Sequence, residues 1–257
     1  MINDTHNSGG IKGGIIKEGK AALVTGASGG IGSEVCRVLL DMGYRVYGIG
    51  RDFSKVYFPD APEGQWNPLV LDLLQTGRVE EAVSSLLCKE KISVLVNAAG
   101  VGYYGQHQDI SPARIREMIR VNLETPLILS GMLLRCIRET RGFIINISSV
   151  TADQINPHGC AYGASKAGLS SFGRSLFAEN RKYGVKVVEI CPDMTRTGLY
   201  RNADFEADPD ELASLDPREV GQALRYILSR PQGTVVSQIR LQPQYNRIRR
   251  KKTEKKQ

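Results

Sequence analysis

The fold of this chain is decided by the segment AALVTGASGGIGSEV, residues 21–35. It begins with a short apolar run that predicts a buried strand and continues into residues that favour a helix. Between the two, Gly26, Gly30 and Gly32 allow a tight turn, a close backbone approach to a pyrophosphate, and packing of the helix on the strand. The segment therefore predicts a dinucleotide-binding turn, although a glycine-rich turn alone is also compatible with a purely structural role.

The same alternation of strand and helix continues along the chain. Most of the apolar runs are continuous, as in parallel strands that are covered on both faces. We therefore predict an α/β fold: a single Rossmann-type doubly wound domain with a mostly parallel seven-stranded sheet and helices on both faces. The predicted strands are residues 21–25, 44–49, 69–71, 92–96, 143–147, 185–190 and 234–241, and the predicted helices are residues 31–42, 77–89, 112–139, 162–183 and 217–229.

The two ends of the chain differ in composition from its body. Residues 1–18 are rich in Gly, Asn and Ser, and residues 245–257 are a run of basic side chains. Both are predicted to be mobile extensions of a single domain over residues 19–244. Within that domain, Ser111 and Asp216 each precede a proline, the pattern of a helix N-cap followed by Pro at the first helical position.

The net charge is concentrated in the C-terminal tail. The 257 residues include 34 Lys and Arg against 27 Asp and Glu, for a formal charge of +7. Seven of those basic side chains and one acid lie in residues 245–257, which leaves +6 on the tail and +1 on the body. A nucleic-acid-binding protein spreads Lys and Arg over a face or a recognition helix, so we expect no nucleic-acid partner.

Composition also excludes other classes of protein. A chain that is 41% hydrophobic and 24% charged is ordinary globular material rather than a disordered one. No run approaches the ~18 apolar residues of a membrane span, and residues 1–20 lack the apolar region of a signal peptide, so a cytoplasmic protein without a membrane partner is expected. We predict no metal site and no disulfide framework, because the cysteines are odd in number and lack a CxxC spacing: Cys36, Cys88, Cys136, Cys160 and Cys191.

A second motif, YGASK at residues 162–166, places Tyr162 and Lys166 four residues apart on a predicted helix. At that spacing the phenol and the ammonium share one face of the helix. A neighbouring cation favours the phenolate of a group whose ordinary pKa is near 10, which would make Tyr162 an acid/base near neutral pH. Two further residues accompany this pair: Ser149, thirteen residues earlier at the end of a strand, and Asn122 in the preceding helix. This combination favours a functional site over a coincidental spacing of Tyr and Lys.

Taken together, these motifs resemble those of the short-chain dehydrogenases/reductases, over residues 20 to about 242. The turn from Thr25 has the family's TGxxxGxG spacing. Residues 97–100 look like its NNAG segment, with Ala98 in place of the second Asn, and residues 191–197 are similar to its PGxVxT segment. In that segment Asp193 replaces a Gly, so the backbone has to accept a residue that tolerates positive φ less well.

The resemblance implies a set of catalytic roles. Ser149 would hold the substrate carbonyl, Tyr162 would exchange its proton, Lys166 would hold the nicotinamide ribose and Asn122 would anchor a water relay. Ser148 competes with Ser149, although it should point to the opposite side of the strand. The implied cofactor contacts are Gly26, Ser28, Gly29, Gly30, Ile31, Gly32, Arg51, Asp72, Leu73, Asn97, Ala98, Ala99, Gly100, Tyr162, Lys166, Pro192, Thr195 and Thr197.

The end of the second predicted strand bears on the choice of cofactor. Members of the family that prefer NAD carry Asp where this chain has Gly50, and Arg51 follows it. An acidic residue binds the ribose 2′-hydroxyl of NAD, whereas an Arg accommodates the 2′-phosphate of NADP. NADP(H) is therefore preferred, and NAD(H) remains possible if Asp52 takes the ribose.

Substrate signals are weaker. Residues 193–216, which we call the flap, hold seven acids against two Arg and do not favour a polyanionic substrate. Six loop residues could line an apolar pocket for a ring ketone or hydroxysteroid, whereas residues 231–243 resemble the ending of NADP-dependent serine and 3-hydroxy-acid dehydrogenases, which points to a hydroxy acid. The six are Tyr103, Tyr104, His107, His158, Tyr200 and Phe205.

Other functions stay open beside an NADP(H)-dependent oxidoreductase acting on a small carbonyl or alcohol. They are an NAD-dependent dehydrogenase of the same family, a non-catalytic NADP-binding interaction protein, and an epimerase or dehydratase of the longer related group, whose large C-terminal domain is not seen here. The family resemblance also implies a homo-oligomer, a dimer or tetramer, formed through the long helices at 112–139 and 162–183.

Overall fold

A computed structural model describes residues 20–251 of the chain. Its centre is a sheet of seven strands in which every neighbouring pair is parallel. The strands are β1 (Ala21–Thr25), β2 (Arg45–Gly50), β3 (Trp66–Val70), β4 (Ile92–Asn97), β5 (Phe143–Ile147), β6 (Lys186–Pro192), β7 (Phe205–Ala207), β8 (Gln238–Leu241) and β9 (Ile248–Arg250). The order in the large sheet is β3-β2-β1-β4-β5-β6-β8, and β7 pairs with β9 in a small second sheet.

Helices cover both faces of the large sheet. They are α1 (Gly30–Asp41), α2 (Thr76–Leu87), α3 (Pro112–Ile119), α4 (Thr125–Thr140), α5 (Cys160–Asn180) and α6 (Pro217–Leu228). One core joins α1 and α6 to the sheet through Val35 and Leu224, and the other joins α2, α4 and α5 through Val83 and Leu133. The predicted doubly wound fold is confirmed.

Strand β1 shows why its sequence is continuously apolar. Ala22 and Val24 belong to the core under α1 and α6, whereas Ala21 and Leu23 belong to the core on the opposite face. Successive side chains of a strand point to opposite faces, so a strand that is covered on both sides needs an apolar residue at every position.

Two predicted helix starts are confirmed by their caps. The Ser111 hydroxyl accepts a hydrogen bond from the Arg114 amide at 3.5 Å at the start of α3. The Asp216 carboxylate accepts from the Arg218 amide at 2.9 Å at the start of α6. In both helices a proline follows the cap, where its missing N–H costs no helical hydrogen bond.

The predicted helix over residues 112–139 is interrupted. A wider π-helical turn, Arg120–Glu124, separates α3 from α4. Pro126 accounts for the break, because it has no N–H to donate to the carbonyl of Asn122 and its ring crowds that carbonyl. Strand β3 also differs from its prediction: it begins earlier, at Trp66, and includes Pro68, which an edge strand tolerates.

The prediction that the whole basic tail is mobile is wrong for its first part. Ile248–Arg250 form β9, which pairs antiparallel with β7 of the flap. The reason is charge complementarity between the tail and the acidic flap, which a count along the chain does not reveal. Residues 1–18 and 252–257 lie outside the described residues, so the predictions made for them stay predictions.

Three further observations concern the chain between residues 20 and 251. No helix in that range is long and apolar enough to cross a membrane. The same residues contain no group of three or more side chains arranged to hold a metal ion. The five cysteines are free, and of these Cys36 and Cys191 are buried while Cys88 and Cys160 are exposed.

Candidate active site

One cavity lies at the carboxyl ends of the central strands. This is the edge at which doubly wound sheets bind ligands, next to the point where the strand order reverses between β1 and β4. The cavity is lined by the glycine-rich turn and by residues that follow β2, β3, β4, β5 and β6. Among the predicted site residues, only the side chains of Asn97 and Asn122 are missing from this lining.

The glycine-rich turn is packed too closely for side chains at two positions. Gly26 has a φ of 69°, and a Cβ there would lie 2.7 Å from the Ala99 Cα. A Cβ at Gly32 would lie 2.1 Å from the carbonyl oxygen of Gly26. These contacts bring α1 directly against the end of β1, as the sequence pattern predicted.

The N-terminus of α1 opens into the cavity. Gly29 is the N-cap, no side chain caps the helix, and a Cβ added at Gly29 would meet nothing within 4 Å. The first amides of a helix have no intrahelical partner and carry partial positive charge. The turn therefore fits the pyrophosphate of a dinucleotide, which takes up such amides.

The ribose end of the cavity excludes a carboxylate at Gly50. A Cβ at that position would lie 2.7 Å from the Ser28 Cβ and 2.9 Å from the Phe53 ring, so an acidic side chain does not fit without displacing both. Arg51 is exposed and lines the cavity. Positive charge at this place suits an anionic 2′-phosphate.

Asp52 points to other partners. Its carboxylate accepts hydrogen bonds from the Ser54 amide at 2.8 Å and from the Ser54 hydroxyl at 3.0 Å. These hydrogen bonds lower the pKa of the Asp52 carboxyl, the bond from the Ser54 amide most of all. Asp52 is not among the residues that line the cavity.

Asp72 and Asn97 occupy different settings after β3 and β4. Asp72 lines the cavity beside Leu73, and its carboxylate accepts from the Leu74 amide at 3.0 Å. Asn97 is buried away from the cavity and donates to the Asn146 carboxamide oxygen at 2.9 Å. Its side chain therefore links β4 to β5, and its predicted place in the cofactor site is not reproduced by the cavity lining.

Tyr162 and Lys166 are both buried in α5 and both line the cavity, with 4% and 3% of their surface exposed. The Lys166 ammonium donates to the Ile147 carbonyl at 2.8 Å, which fixes it to the end of β5. Its nitrogen lies 5.8 Å from the centre of the Tyr162 ring. The four-residue spacing thus places both groups in one cleft, as expected for a helix.

Burial controls the titration of this pair. It raises the pKa of Tyr162 to about 12, and the neighbouring Ser149 hydroxyl opposes that rise. Burial lowers the pKa of Lys166 to about 8, against the attraction of Cys191 and Glu189. The sequence led us to expect a lowered pKa for Tyr162. In the protein without cofactor the pKa of Tyr162 is raised instead. Burial disfavours the charged phenolate, and this effect is larger than any stabilisation of the phenolate by the Lys166 ammonium, which is hydrogen-bonded to the Ile147 carbonyl.

The two candidate serines are distinguished by their partners. The Ser149 oxygen accepts from the Thr151 amide at 3.2 Å and from the Thr151 hydroxyl at 2.9 Å, and the Ser149 hydroxyl interacts with the Tyr162 phenol. The Ser148 hydroxyl lies 3.1 Å from the Ser170 hydroxyl and 3.4 Å from the Lys166 carbonyl. Ser148 also borders the cavity, but its hydroxyl is engaged beneath α5.

Asn122 lies in the π-helical turn and connects two parts of the site. Its carboxamide accepts from the Val101 amide and donates to the Val101 carbonyl, both at 2.9 Å. It also donates to the Ser165 hydroxyl at 3.1 Å, which in turn donates to the Tyr162 carbonyl at 2.7 Å. Asn122 thus ties the loop after β4 to the helix that carries Tyr162.

The segment after β6 accepts Asp193 without strain. The backbone of Asp193 is not in the left-handed region, so the side chain that replaces Gly costs nothing there. Thr195 donates to the Asp193 carbonyl at 2.8 Å. Thr197 accepts from the Leu199 amide at 3.3 Å, and its methyl carbon would lie 3.1 Å from a Cβ at Gly30, so it closes the cavity against the glycine-rich turn.

Three of the six predicted pocket residues form an aromatic cluster next to Tyr162. Within this cluster Tyr104 lies 6.1 Å from Tyr200 and 5.1 Å from Phe205 between ring centres, and Tyr200 lies 5.5 Å from Phe205. The Tyr104 ring is also 5.6 Å from the ring of Tyr162. Space for Tyr104 exists because a Cβ at Gly102 would lie 2.8 Å from it.

The other three predicted pocket residues have different roles. Tyr103 donates to the Glu117 carboxylate at 2.7 Å, while His107 and His158 are exposed. Of the six predicted pocket residues, only Tyr200 borders the cavity. The cavity also includes Glu117 and Arg201, which the sequence analysis did not single out. Nothing in their local sequence marks them, because it is the folding of α3 and the flap that brings them there.

The chain is similar to known proteins over most of its length. The sequence model described as short chain dehydrogenase matches residues 20–207. An uncharacterised oxidoreductase from Staphylococcus saprophyticus is 30% identical over 233 residues, which cover 87% of this chain and 97% of that protein.

Solved structures with the same arrangement include two dehydrogenases. An alcohol dehydrogenase from the archaeon Thermococcus sibiricus, complexed with 5-hydroxy-NADP, has a TM-score of 0.79 at 27% identity and covers 90% of this chain and 99% of its own. A 4-hydroxyisoleucine dehydrogenase mutant, complexed with NADH and succinate, has a TM-score of 0.77 at 23% identity and covers 88% and 98%. The second likeness concerns the fold alone.

Proposed function

The chain belongs to the short-chain dehydrogenase family of oxidoreductases, and from that premise we propose that it interconverts a small carbonyl compound and a secondary alcohol with NADP(H) as cofactor. The observation that carries the proposal is the conjunction of Tyr162, Lys166 and Ser149 in the cavity that the glycine-rich turn borders. A protein that only binds a dinucleotide has no need of a buried acid/base at that place.

The preference for NADP(H) rests on the ribose end of the cavity. Gly50 leaves no room for the carboxylate that would bind a 2′-hydroxyl, Asp52 is bonded to Ser54, and Arg51 borders the cavity. An Arg forms charge-assisted hydrogen bonds with phosphate. The solved alcohol dehydrogenase bound to 5-hydroxy-NADP agrees with this choice.

Proton transfer is assigned to Tyr162. A bound nicotinamide cofactor supplies or accepts the hydride, and the protein supplies orientation and the proton. In the reductive direction the carbonyl carbon gains the hydride while the carbonyl oxygen takes the Tyr162 proton, and oxidation reverses both transfers. The raised pKa of Tyr162 keeps the phenol protonated near neutral pH, which suits its use as the acid.

The other polar groups position the reacting atoms. Ser149 borders the cavity beside Tyr162, and its hydroxyl would donate to the substrate carbonyl oxygen, orienting it and stabilising developing negative charge. Lys166, anchored on Ile147, is placed to hold the ribose hydroxyls of the cofactor. Asn122 fixes the start of α5 through Ser165, and Asn122 is the anchor proposed for a water relay.

An uncharged, ring-bearing carbonyl compound is the substrate class that we assign. Within the aromatic cluster, Tyr200 borders the cavity that contains Tyr162 and would present its ring to an apolar substrate, while Tyr104 and Phe205 pack against Tyr200 and support it. A hydroxy or keto acid is the second candidate, because Arg201 borders the same cavity and would pair with a carboxylate.

A cofactor-linked screen tests this function. The purified protein is incubated with NADPH and either cyclic ketones, including ketosteroids, or keto acids of similar size, and NADPH oxidation is followed. We expect higher kcat/KM for the cyclic ketones, and the Arg201→Gln variant should keep that activity. Preference for keto acids that disappears in Arg201→Gln would replace the first substrate class with the second, and no oxidation with either class or in the reverse direction would contradict the function.

Assembly and location are part of the same proposal. A dimer or tetramer built on the helices at 112–139 and 162–183 follows from the family resemblance. The cytoplasmic location rests on the expectation from the sequence, which came from the absence of a long apolar run and of a signal-peptide pattern in residues 1–20. Sedimentation equilibrium of the purified protein checks the first point, for which a monomer at assay concentration would be the contrary result.

A further inference from the structure

The C-terminal segment lies along the flap. We call residues 245–251 the C-terminal strap. The amide of Tyr245 donates to the Leu212 carbonyl at 2.8 Å, and the amide of Lys251 donates to the Asp204 carbonyl at 2.8 Å. Between these two contacts β9 pairs with β7, with Arg249 opposite Glu206. The strap is therefore bonded to the flap along its whole described length.

The side chains of the strap match the charges of the flap. Arg247 pairs with Asp208 at 3.1 Å and with Asp210 at 2.6 Å, and Arg249 pairs with Glu206. These contacts use three of the seven flap acids: Glu206, Asp208 and Asp210. This charge complementarity explains why β9, which consists of Ile248 and two arginines, pairs with β7 instead of remaining in solvent.

Lys251 holds the turn that carries Tyr200. Its ammonium donates to the carbonyls of Tyr200 at 2.7 Å and Ala203 at 2.8 Å, and to that of Arg201 at 3.3 Å. These carbonyls close the short helical turn Gly198–Asn202. A cation at the carbonyl end of a helical turn is stabilised by the partial negative charge that the carbonyl groups carry there.

The flap residues that the strap holds include Tyr200, which borders the cavity, and Phe205, which packs against Tyr200 from outside the cavity lining. Phe205 is the first residue of β7 and packs against Tyr104 and Tyr200. Neighbouring positions of a strand face opposite sides, so Glu206 turns to Arg249 while Phe205 turns to the aromatic cluster. The ion pair and the aromatic cluster thus involve two consecutive residues of β7, Glu206 and Phe205.

We infer that the C-terminal strap is a positioning element for substrate: Arg249 and Lys251 hold β7 and the Tyr200 turn so that the aromatic cluster keeps the shape that binds the carbonyl compound. The inference rests on the proposed function for the identity of that pocket. The strap touches neither the reacting atoms nor the glycine-rich turn, so it acts on substrate affinity and leaves hydride and proton transfer unchanged. Its ion pairs are exposed, and dissolved salt weakens such pairs.

A charge-reversal experiment isolates this role. Arg249→Glu sets two acids against each other on β7 and β9, and we expect the KM for the ketone to rise about tenfold, with kcat and the KM for NADPH within about twofold of wild type. Adding Glu206→Arg to that variant restores an opposite-charge pair and should return KM to near the wild-type value. Arg225→Gln is the matched control, since it removes an exposed ion pair with Asp41 far from the flap and should change neither constant.

Two deletions test the strap as a unit. Removing residues 246–257 should raise the ketone KM at least as much as Arg249→Glu, whereas removing residues 252–257 should leave it unchanged. An unchanged KM in both Arg249→Glu and the longer deletion would overturn the inference. So would a fall in kcat at constant KM, or failure of the Glu206→Arg exchange to restore binding.

A measurement without substrate separates this inference from the proposed function. Hydrogen exchange of the amides in Phe205–Ala207 should be faster in Arg249→Glu than in wild type. In wild type it should also be faster at 1 M salt than at 0.1 M salt, because the Debye length is about threefold shorter at 1 M and exposed ion pairs are weaker there. If no ketone is turned over but the exchange rate responds to charge and salt, the pocket assignment is wrong, while the claim that the strap holds the flap is supported. If turnover is found and the exchange rate does not respond to charge or salt, the inference about the strap is overturned, while the proposed enzymatic function is supported.

Discussion

Tyr162 keeps its proton because it is buried, and Lys166 gives up its proton more readily for the same reason. The pKa of the phenol rises to about 12 and that of the ammonium falls to about 8. Below the lowered pKa both groups are protonated, which is the state that carbonyl reduction needs. Above it, the ammonium is lost first, while the phenol is still intact.

The pH dependence of the enzyme should therefore have an alkaline limit set by Lys166. We expect kcat/KM for NADPH, which reports the free enzyme, to be level from pH 6 to 7.5 and to fall as pH rises through about 8, because the buried ammonium deprotonates there. A Lys166→Arg variant with residual activity should move that limit to higher pH, since a guanidinium stays charged. A profile that is level up to pH 10 would show that Lys166 does not titrate in this range.

Arg51 should decide between the two cofactors. We expect Arg51→Ala to lose about tenfold or more in NADPH affinity and to bind NADH as wild type does, because only the 2′-phosphate offers the guanidinium a charged partner. Fluorescence titration of both reduced cofactors measures this. Arg37→Ala, which removes an exposed Arg of α1 that pairs with Glu34, is the control. Equal losses for the two cofactors would remove Arg51 from the 2′-phosphate site.

Some site residues could be predicted from sequence because their geometry is local. Tyr162 and Lys166 share a helix face by their spacing alone, and Ser149 follows a strand that was correctly delimited. Asn97 was predicted for the cofactor site from its position in a motif, but its partner Asn146 comes from a neighbouring strand. A contact of that kind depends on strand order and register, which no local pattern contains.

Among the secondary structure elements, the junction of β1 and α1 has the tightest packing at the site. Within the glycine-rich turn, Gly32 is the position where a side chain fits least, because its Cβ would lie 2.1 Å from the Gly26 carbonyl oxygen, whereas Gly29 has open space and an extended backbone with φ 169°. The two glycines thus provide a matched pair for substitution.

Alanine substitutions at these positions should separate packing from flexibility. We expect Gly32→Ala to lower the free energy of unfolding by about 1–3 kcal/mol, because α1 must move away from the turn. Gly29→Ala should have little effect on stability. Denaturant unfolding without cofactor measures both, and equal stability of the two variants would contradict the packing described for the turn.

Prediction of elements succeeded where a run of apolar residues filled a whole strand. The bounds predicted for β1 and β5 agree with the structure. The long helix before β5 was predicted without its break, since the apolar period of 3.6 continues through the π-helical turn and only Pro126 marks it. The three-residue strands β7 and β9 carry charged residues and pair with each other, so neither has a signal of its own.

At the scale of the whole molecule, charge is arranged by folding and not by sequence position. A body of net +1 and a tail of net +6 suggested a separate basic extension. Arg247 and Arg249 instead return to the acidic flap and close it beside the aromatic cluster. The glycine-rich turn near the start of the described chain lines the cofactor half of the cavity. The C-terminal strap, at the other end of the described chain, is bonded to the turn that carries Tyr200 in the proposed substrate half.

Turnover by Tyr162→Phe tests the central claim most directly. The substitution removes the hydroxyl that exchanges the proton and keeps the ring that packs against Tyr104. With the best ketone from the screen, we expect kcat to fall by about a thousandfold or more while the Kd for NADPH stays within about twofold of wild type. Near-normal kcat in Tyr162→Phe, with NADPH still bound, would contradict the account.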